Sequence, residues 1–146
     1  MISLICEKYG ITNYTINGDG SIDVDGDVNF YSKGLTELPL TFNKVSGYFS
    51  CANNQLTSLK GVPRWIGDWF SCYNNQLTSL EFSPDYVDGN FYCYNNKLTN
   101  NYCDTEILGK FYTILKQDGL TNDNYNEWRK LYKRKKILDD IFKIGI

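Results

Sequence analysis

One phrase recurs three times in this chain at a fixed interval, as SCANNQLTSL, SCYNNQLTSL and YCYNNKLTNN. Cys51, Cys72 and Cys93 occupy the same position in the three copies and lie 21 residues apart. A fourth, divergent copy stands one interval earlier, with Phe30 in the cysteine position and Lys33 in the asparagine position. Self-similarity at a short fixed period predicts a solenoid, in which each repeat packs against its neighbours and presents an extended surface. A binding protein is therefore the first functional hypothesis.

Each repeat opens with residues that alternate between core-facing and outward-facing types, as in the stretch from Val45 to Cys51. A period of two predicts a half-buried strand, and the Leu-Thr-x-Leu segment that follows predicts a turn into an extended return limb. We expect Asn54, Asn75 and Asn96 to supply a donor and an acceptor to the turns where the strand ladder ends. The asparagines one position earlier are expected to face solvent: Asn53, Asn74 and Asn95.

The chain divides into three predicted parts. Residues 1–23 form an N-terminal cap, with a short helix over 2–9 that ends at Gly10 and a hairpin around Gly18–Gly20. Residues 24–107 form four repeats, divided as 24–44, 45–65, 66–86 and 87–107. Residues 108–146 form a C-terminal cap of two helices, because their apolar residues recur at steps of three and four.

The phrase Phe-x-Cys-x-x-Asn-x-Leu-x-x-Leu, from Phe49 to Leu59 and from Phe70 to Leu80, resembles the leucine-rich repeat family. It is most similar to the short cysteine- and asparagine-rich repeats of bacterial and large-phage proteins. The resemblance implies an α/β repeat solenoid with a curved parallel sheet of about four repeats between two caps. It also implies that the concave strand face binds other macromolecules, usually proteins.

Residues that alternate with the core positions form the predicted concave face. They are Asp27, Tyr48, Trp69 and Asn90 in one column, Asn29, Ser50, Ser71 and Tyr92 in the next, and Tyr31, Ala52, Tyr73 and Tyr94 in the third. Six of these twelve positions are aromatic, and tyrosine and tryptophan are enriched at interface hot spots. Cross-strand stacking that stiffens the sheet is the alternative explanation for them.

A basic stretch near the C-terminus is a second candidate contact surface. Six of the eight residues over 129–136 are basic: Arg129, Lys130, Lys133, Arg134, Lys135 and Lys136. Such a stretch can bind nucleic acid or another polyanion. Glu127, Asp139 and Asp140 flank it, so a solvated helix face or contact with an acidic partner also explains it.

The sequence offers little that is typical of an enzyme or a metal protein. It has no histidine, the usual acid–base residue near neutral pH, and no phosphate-binding glycine loop. Cys103-Asp104 resembles the nucleophile context of bacterial leucine-rich-repeat ubiquitin ligases, but too few residues follow it for that catalytic domain. Three cysteines in one inward-facing column predict reduced core thiols, without a disulfide, a metal or another cofactor.

We therefore expect a non-enzymatic, cytoplasmic module that binds one protein partner through its aromatic concave face. The resemblance suggests a phage or bacterial protein that inhibits or sequesters a host protein, such as a defence factor. Neither a membrane nor a nucleic acid is the expected partner, because no transmembrane run is present and the net charge is −2. The alternatives are a nucleic-acid or polyanion binder acting through the basic stretch, and a carbohydrate binder acting through the aromatic residues.

Overall fold

The computed structural model describes residues 1–98 and Lys130. The chain begins with helix α1 (Ile2–Lys8), followed by an antiparallel hairpin of β1 (Tyr14–Ile16) and β2 (Ile22–Val24). Both elements were predicted from the sequence. The end of the fourth repeat, Cys103, the predicted helical cap over 108–146 and the basic stretch apart from Lys130 lie outside the described residues.

The repeats form a β-solenoid of about three turns built from two parallel sheets. Its further strands are β3 (Val28–Asn29), β4 (Phe42–Val45), β5 (Phe49–Ser50), β6 (Trp65–Ile66), β7 (Phe70–Ser71), β8 (Tyr86–Val87) and β9 (Phe91–Tyr92). One sheet has the order β1-β2-β4-β6-β8 and the other the order β3-β5-β7-β9. Residues 21 apart pair in register, as Phe49 does with Phe70. We call each such set of equivalent positions a column and each turn's strand pair a rung.

Two strands in each turn replace the single strand that the sequence predicted. The chain bends between them at residues 46–48 and again at 67–69, so Val45 and Phe49 belong to different sheets. Glycine permits the close approach of successive turns at this bend. A Cβ atom on Gly67 would lie 2.2 Å from the carbonyl oxygen of Ser46. The described repeats contain no helix, so the α/β character implied by the resemblance is not seen in this part of the chain.

A ladder of phenylalanines fills the interior. Phe30, Phe49, Phe70 and Phe91 are all 0% exposed, and the ring centroids of Phe70 and Phe91 lie 5.1 Å apart. Burial of each ring contributes roughly 1.5–3 kcal/mol relative to an exposed one. The cysteines of the repeat are equally buried, which confirms their predicted inward orientation.

The asparagine column ties each turn to the one before it. Asn75 Nδ2 donates to the carbonyl oxygens of Cys51 and Cys72, and its Oδ1 accepts from the backbone N–H of Leu56 at 2.9 Å. Asn54 and Asn96 make the corresponding bonds in their own turns. The predicted role of this column as donor and acceptor to adjacent turns is confirmed.

The N-terminal elements cover one end of the solenoid. Cys6 and Ile11 are buried in the core, and the ring of Tyr9 packs edge-on against Phe30 with 5.0 Å between centroids. The terminal phenylalanine of the ladder is therefore shielded from water. Helix α1 has seven residues, and nowhere in residues 1–98 is there a helix of the length and apolarity needed to cross a membrane.

Candidate functional site

A groove of about 380 Å³ runs across the face of the β3-β5-β7-β9 sheet. Its lining consists of Asn29, Tyr31, Tyr48, Ser50, Trp69, Ser71, Tyr73, Tyr92 and Tyr94. The structure thus brings nine of the predicted concave-face residues together. Asp27 and Asn90 do not line the groove; they stand at the two ends of the column that contains Tyr48 and Trp69.

One wall of the groove is the stacked pair Tyr48 and Trp69. Their ring centroids are 4.2 Å apart and their planes differ by 4°. This separation is close to the distance between adjacent rungs, about 4.8 Å, so the ring faces point along the solenoid axis. The ring edges therefore line the groove. Asp27 extends the wall by one position, and its Oδ1 accepts a hydrogen bond from the backbone N–H of Tyr48 at 3.0 Å.

The opposite wall consists of Tyr73 and Tyr94, stacked at 4.7 Å and 7°, together with Tyr31. The ring centroids of Tyr31 and Tyr73 are 6.5 Å apart, and their planes differ by 55°. Ala52 occupies the position between them in this column; it was predicted on the concave face, but it is fully buried and does not line the groove. Burial raises the pKa of the Tyr73 hydroxyl, and the neighbouring Tyr31 and Tyr94 raise it further. This hydroxyl is therefore protonated at neutral pH, and it is hydrogen-bonded to Tyr31.

Serines form the floor of the groove. Ser50 and Ser71 lie on the predicted face, but they are only 4% and 2% exposed because the aromatic walls cover them. Their burial was not predicted from the sequence. Ser71 Oγ has no hydrogen-bond partner among the described residues. An unpaired buried hydroxyl costs about 1–3 kcal/mol, so this floor position is unsatisfied as it stands.

Cross-strand stacking, the alternative explanation for the aromatic residues, is present in both walls. It engages ring faces and leaves ring edges for contacts across the groove. The Tyr92 hydroxyl accepts a hydrogen bond from Asn90 Nδ2, and the Tyr73 hydroxyl is hydrogen-bonded to Tyr31. None of the nine lining residues is charged. The groove can therefore supply apolar contact and neutral hydrogen bonds, but no ion pair from its lining.

A ladder along one rim of the groove was not predicted from the sequence. Ser32, Asn53, Asn74 and Asn95 adopt left-handed backbone conformations, with φ between 52° and 57°. Asn53 Nδ2 donates to Ser32 Oγ, and Asn95 Nδ2 donates to Asn74 Oδ1. The available signal was the doubled asparagine of each repeat, because asparagine tolerates this conformation better than most residues. Asn53 and Asn95 are exposed, as expected, whereas Asn74 is half-buried.

The thiols do not form a reactive site in the described part of the chain. Cys6, Cys51, Cys72 and Cys93 are free and buried. Burial raises the pKa of Cys51, Cys72 and Cys93 far above its ordinary value, so these thiols are not nucleophiles at neutral pH. Within residues 1–98, no cluster of three or more cysteine or acidic side chains could hold a metal ion.

Of the predicted basic surface, only Lys130 is described, and it is exposed. The other five basic residues of that stretch lie outside the described residues, so the grouping is not observed. The aromatic groove is thus the candidate site with observed geometry. No family model, curated protein or solved structure matches this chain.

Proposed function

We propose that this chain is a non-enzymatic binding module that holds a segment of a partner protein in the aromatic groove. The observation that carries the proposal is the lining itself, with five tyrosines, one tryptophan, two serines and one asparagine. Antibody paratopes are enriched in the same residue types. Tyrosine and tryptophan supply large contact area at low cost in side-chain entropy, while serine and asparagine supply adaptable hydrogen bonds.

The stacked walls favour binding because they are already ordered. Tyr48 is held by Trp69, and Tyr73 is held by Tyr94, at centroid distances of 4.2 and 4.7 Å. An immobilised side chain saves roughly 0.5–1.5 kcal/mol of ordering cost when a partner binds. Stacking and partner binding are therefore compatible roles for the same rings.

Binding also accounts for the chemistry of the lining better than catalysis does. Its functional groups are hydroxyls, an indole and an amide, and none of these ionises near neutral pH in the ordinary case. The concave-face role is the one implied by the resemblance to leucine-rich repeats, which we retain as part of the proposal. A bacterial or phage setting, with a host protein inhibited or sequestered, belongs to the same proposal. Free buried thiols support a reducing, cytoplasmic environment.

A carbohydrate is the second candidate ligand, because the groove is uncharged and rich in hydroxyl groups. Sugars bind aromatic residues by lying flat on a ring face. In both walls, the ring faces that point toward each other are covered by stacking, so mainly ring edges are left to contact a ligand along the groove. The geometry therefore favours a polypeptide over a saccharide.

The test compares two tryptophans that are matched in structure and differ in location. Trp69 belongs to the groove, whereas Trp65 stacks on Tyr86 in the other sheet with 6.0 Å between centroids and an angle of 14°. Wild type, Trp69→Ala and Trp65→Ala would each be used to capture partners from a bacterial lysate, and the affinity for each captured protein would be measured by calorimetry.

We expect Trp65→Ala to bind like the wild type and Trp69→Ala to lose about 2 kcal/mol, roughly 30-fold in Kd. Equal binding by the two variants would contradict the proposal. A screen against a saccharide array runs in parallel. A saccharide that depends on Trp69, with no captured protein that does, would establish the second candidate instead.

A further inference from the structure

Two exposed aspartates stand beside the Tyr48–Trp69 wall of the groove. They lie in the bend between the two sheets, and we call them the acidic rim: Asp27 and Asp68. Asp27 shares a column with Tyr48 and Trp69, and Asp68 directly precedes Trp69 in the chain. The rim is therefore continuous with the wall.

A hydrogen bond orients one carboxylate of the acidic rim: Asp27 Oδ1 accepts from the backbone N–H of Tyr48 at 3.0 Å. In the column beside it, Asp25 Oδ1 accepts from Ser46 Oγ at 2.8 Å. Among residues 1–98, no lysine or arginine side chain lies within ion-pair distance of Asp27 or Asp68. The charge of the acidic rim is thus uncompensated by a neighbour in this part of the chain.

The opposite rim of the groove has a different charge. It carries the neutral ladder of Ser32, Asn53, Asn74 and Asn95, with Lys33 beside it. The described residues 1–98 contain six basic and ten acidic residues, a net charge of −4. The charges of residues 1–98 are therefore distributed asymmetrically across the groove and are negative on the side of Trp69.

The floor supplies an observation that is independent of charge. Ser71 lies between the two walls, is 2% exposed, and its hydroxyl has no hydrogen-bond partner among the described residues. A buried polar group without a partner is rare in a native fold and calls for an explanation. In the described part of the chain Ser83 Oγ is unpaired as well, but Ser71 is the one of the two that lines the groove. An occupant with a hydrogen-bonding tip satisfies the Ser71 hydroxyl once the rings that cover it move slightly apart.

We propose that the occupant of the groove is a basic polypeptide segment, with an uncharged side chain between the walls that reaches Ser71 and with lysine or arginine side chains over the acidic rim. The inference rests on the proposed function and specifies its partner. Opposite charge at the edge of an interface speeds association and sets orientation, while the neutral centre supplies most of the affinity. The same rim repels the phosphates of nucleic acids.

The first measurement is a selection of random peptides displayed on phage against the immobilised full chain. We expect the recovered peptides to be enriched in lysine and arginine next to an uncharged residue, and to lose binding to Trp69→Ala. Affinities would then be measured by fluorescence polarisation with labelled synthetic copies. They should weaken as NaCl is raised from about 0.05 to about 0.5 M, because rim charges are screened.

The second measurement removes the charge of the rim without removing its hydrogen bonds. Asp27→Asn combined with Asp68→Asn should weaken the selected peptide about ten-fold, mainly by slowing association. Glu7→Gln combined with Glu37→Gln removes the same charge from exposed positions on α1 and on a return limb, and should leave binding unchanged. Ser71→Ala should weaken binding about five-fold, while the free protein becomes no less stable because an unsatisfied hydroxyl is removed.

The possible failures are distinguishable. Peptides that require Trp69 but are neutral or acidic, or that bind the double asparagine variant as they bind the wild type, would overturn the basic-partner inference and leave the groove as a binding site. If no selected peptide requires Trp69, the inference and the proposed function both fail.

Discussion

Asn75 donates a hydrogen bond from its side-chain amide to the backbone carbonyl oxygen of Cys51, 24 residues earlier, at 3.0 Å. The bond joins one turn of the solenoid to the turn before it. It lies where the strand ladder ends, and Asn75 is itself only 7% exposed. Backbone groups at this point cannot be satisfied by water, so the asparagine supplies the partners that the ladder no longer provides.

Asn75→Ala should destabilise the fold by about 3 kcal/mol or more. The substitution leaves the backbone N–H of Leu56 without a partner, which costs about 1–3 kcal/mol for a buried group. The carbonyl oxygens of Cys51 and Cys72 each lose one bond but keep another, from Asn54 and Asn96 respectively, and each lost bond adds roughly 0.5–1.5 kcal/mol. Urea unfolding followed by circular dichroism measures the loss. Asn43→Ala removes an exposed bond to Asp23 and should cost less than about 1 kcal/mol. Equal losses in the two variants would refute the capping role.

Gly67→Ala should be strongly destabilising because the new Cβ would lie 2.2 Å from the carbonyl oxygen of Ser46, a backbone atom that cannot move aside. We expect the unfolding free energy to fall by about 3 kcal/mol, which is the upper end of the range typical of overpacked cores. Gly18→Ala is the control, since a Cβ atom at that position would have no packing neighbour within 4 Å. That change should alter stability by less than about 1 kcal/mol. Thermal melts of the two variants would suffice, and similar melting temperatures would contradict the steric explanation of the bend.

Phe82 occupies the column of Gly61 and has a left-handed backbone, with φ 66° against 98° for the glycine. The residue is 53% exposed. Phe82→Gly should therefore be more stable than Phe82→Ala by about 1 kcal/mol, because both remove the ring and only glycine adopts this conformation without strain. The comparison needs the urea midpoints of the two variants. An alanine variant at least as stable as the glycine variant would rule out strain at this position.

The stability of the protein should fall as pH rises above about 8.5, the ordinary pKa of an unfolded thiol. Burial raises the pKa of Cys51, Cys72 and Cys93 in the folded chain, so the native state keeps protons that the unfolded chain releases. Each such thiol lowers the unfolding free energy by about 1.4 kcal/mol per pH unit above that point. Urea unfolding in reducing buffer at several pH values gives the slope. The slope of unfolding free energy against pH should be smaller for Cys72→Ala by the contribution of one thiol. An unchanged slope would contradict the raised pKa of Cys72 in the folded chain.

The 21-residue period was sufficient to predict the register, because residues one period apart do pair, as Phe49 does with Phe70. The bend was not predicted because core-facing and outward-facing residues continue to alternate through it. In the structure, the close approach of Gly67 to Ser46 marks the point where the chain passes from one sheet to the other. Most of the groove residues were also predictable from alternation. The burial of Ser71 was not, since it depends on how far the neighbouring rings lean over the floor, which a periodic pattern does not encode.

The repeat also sets the step by which the length of the groove can change. Each rung adds one position to both walls and to the floor, so the groove can grow or shrink only in steps of about 4.8 Å. A related chain with one more 21-residue turn would accommodate a longer occupant while keeping every existing contact. Under the proposed function, the number of turns therefore matches the length of the partner segment, and the residues placed in those turns match its chemistry.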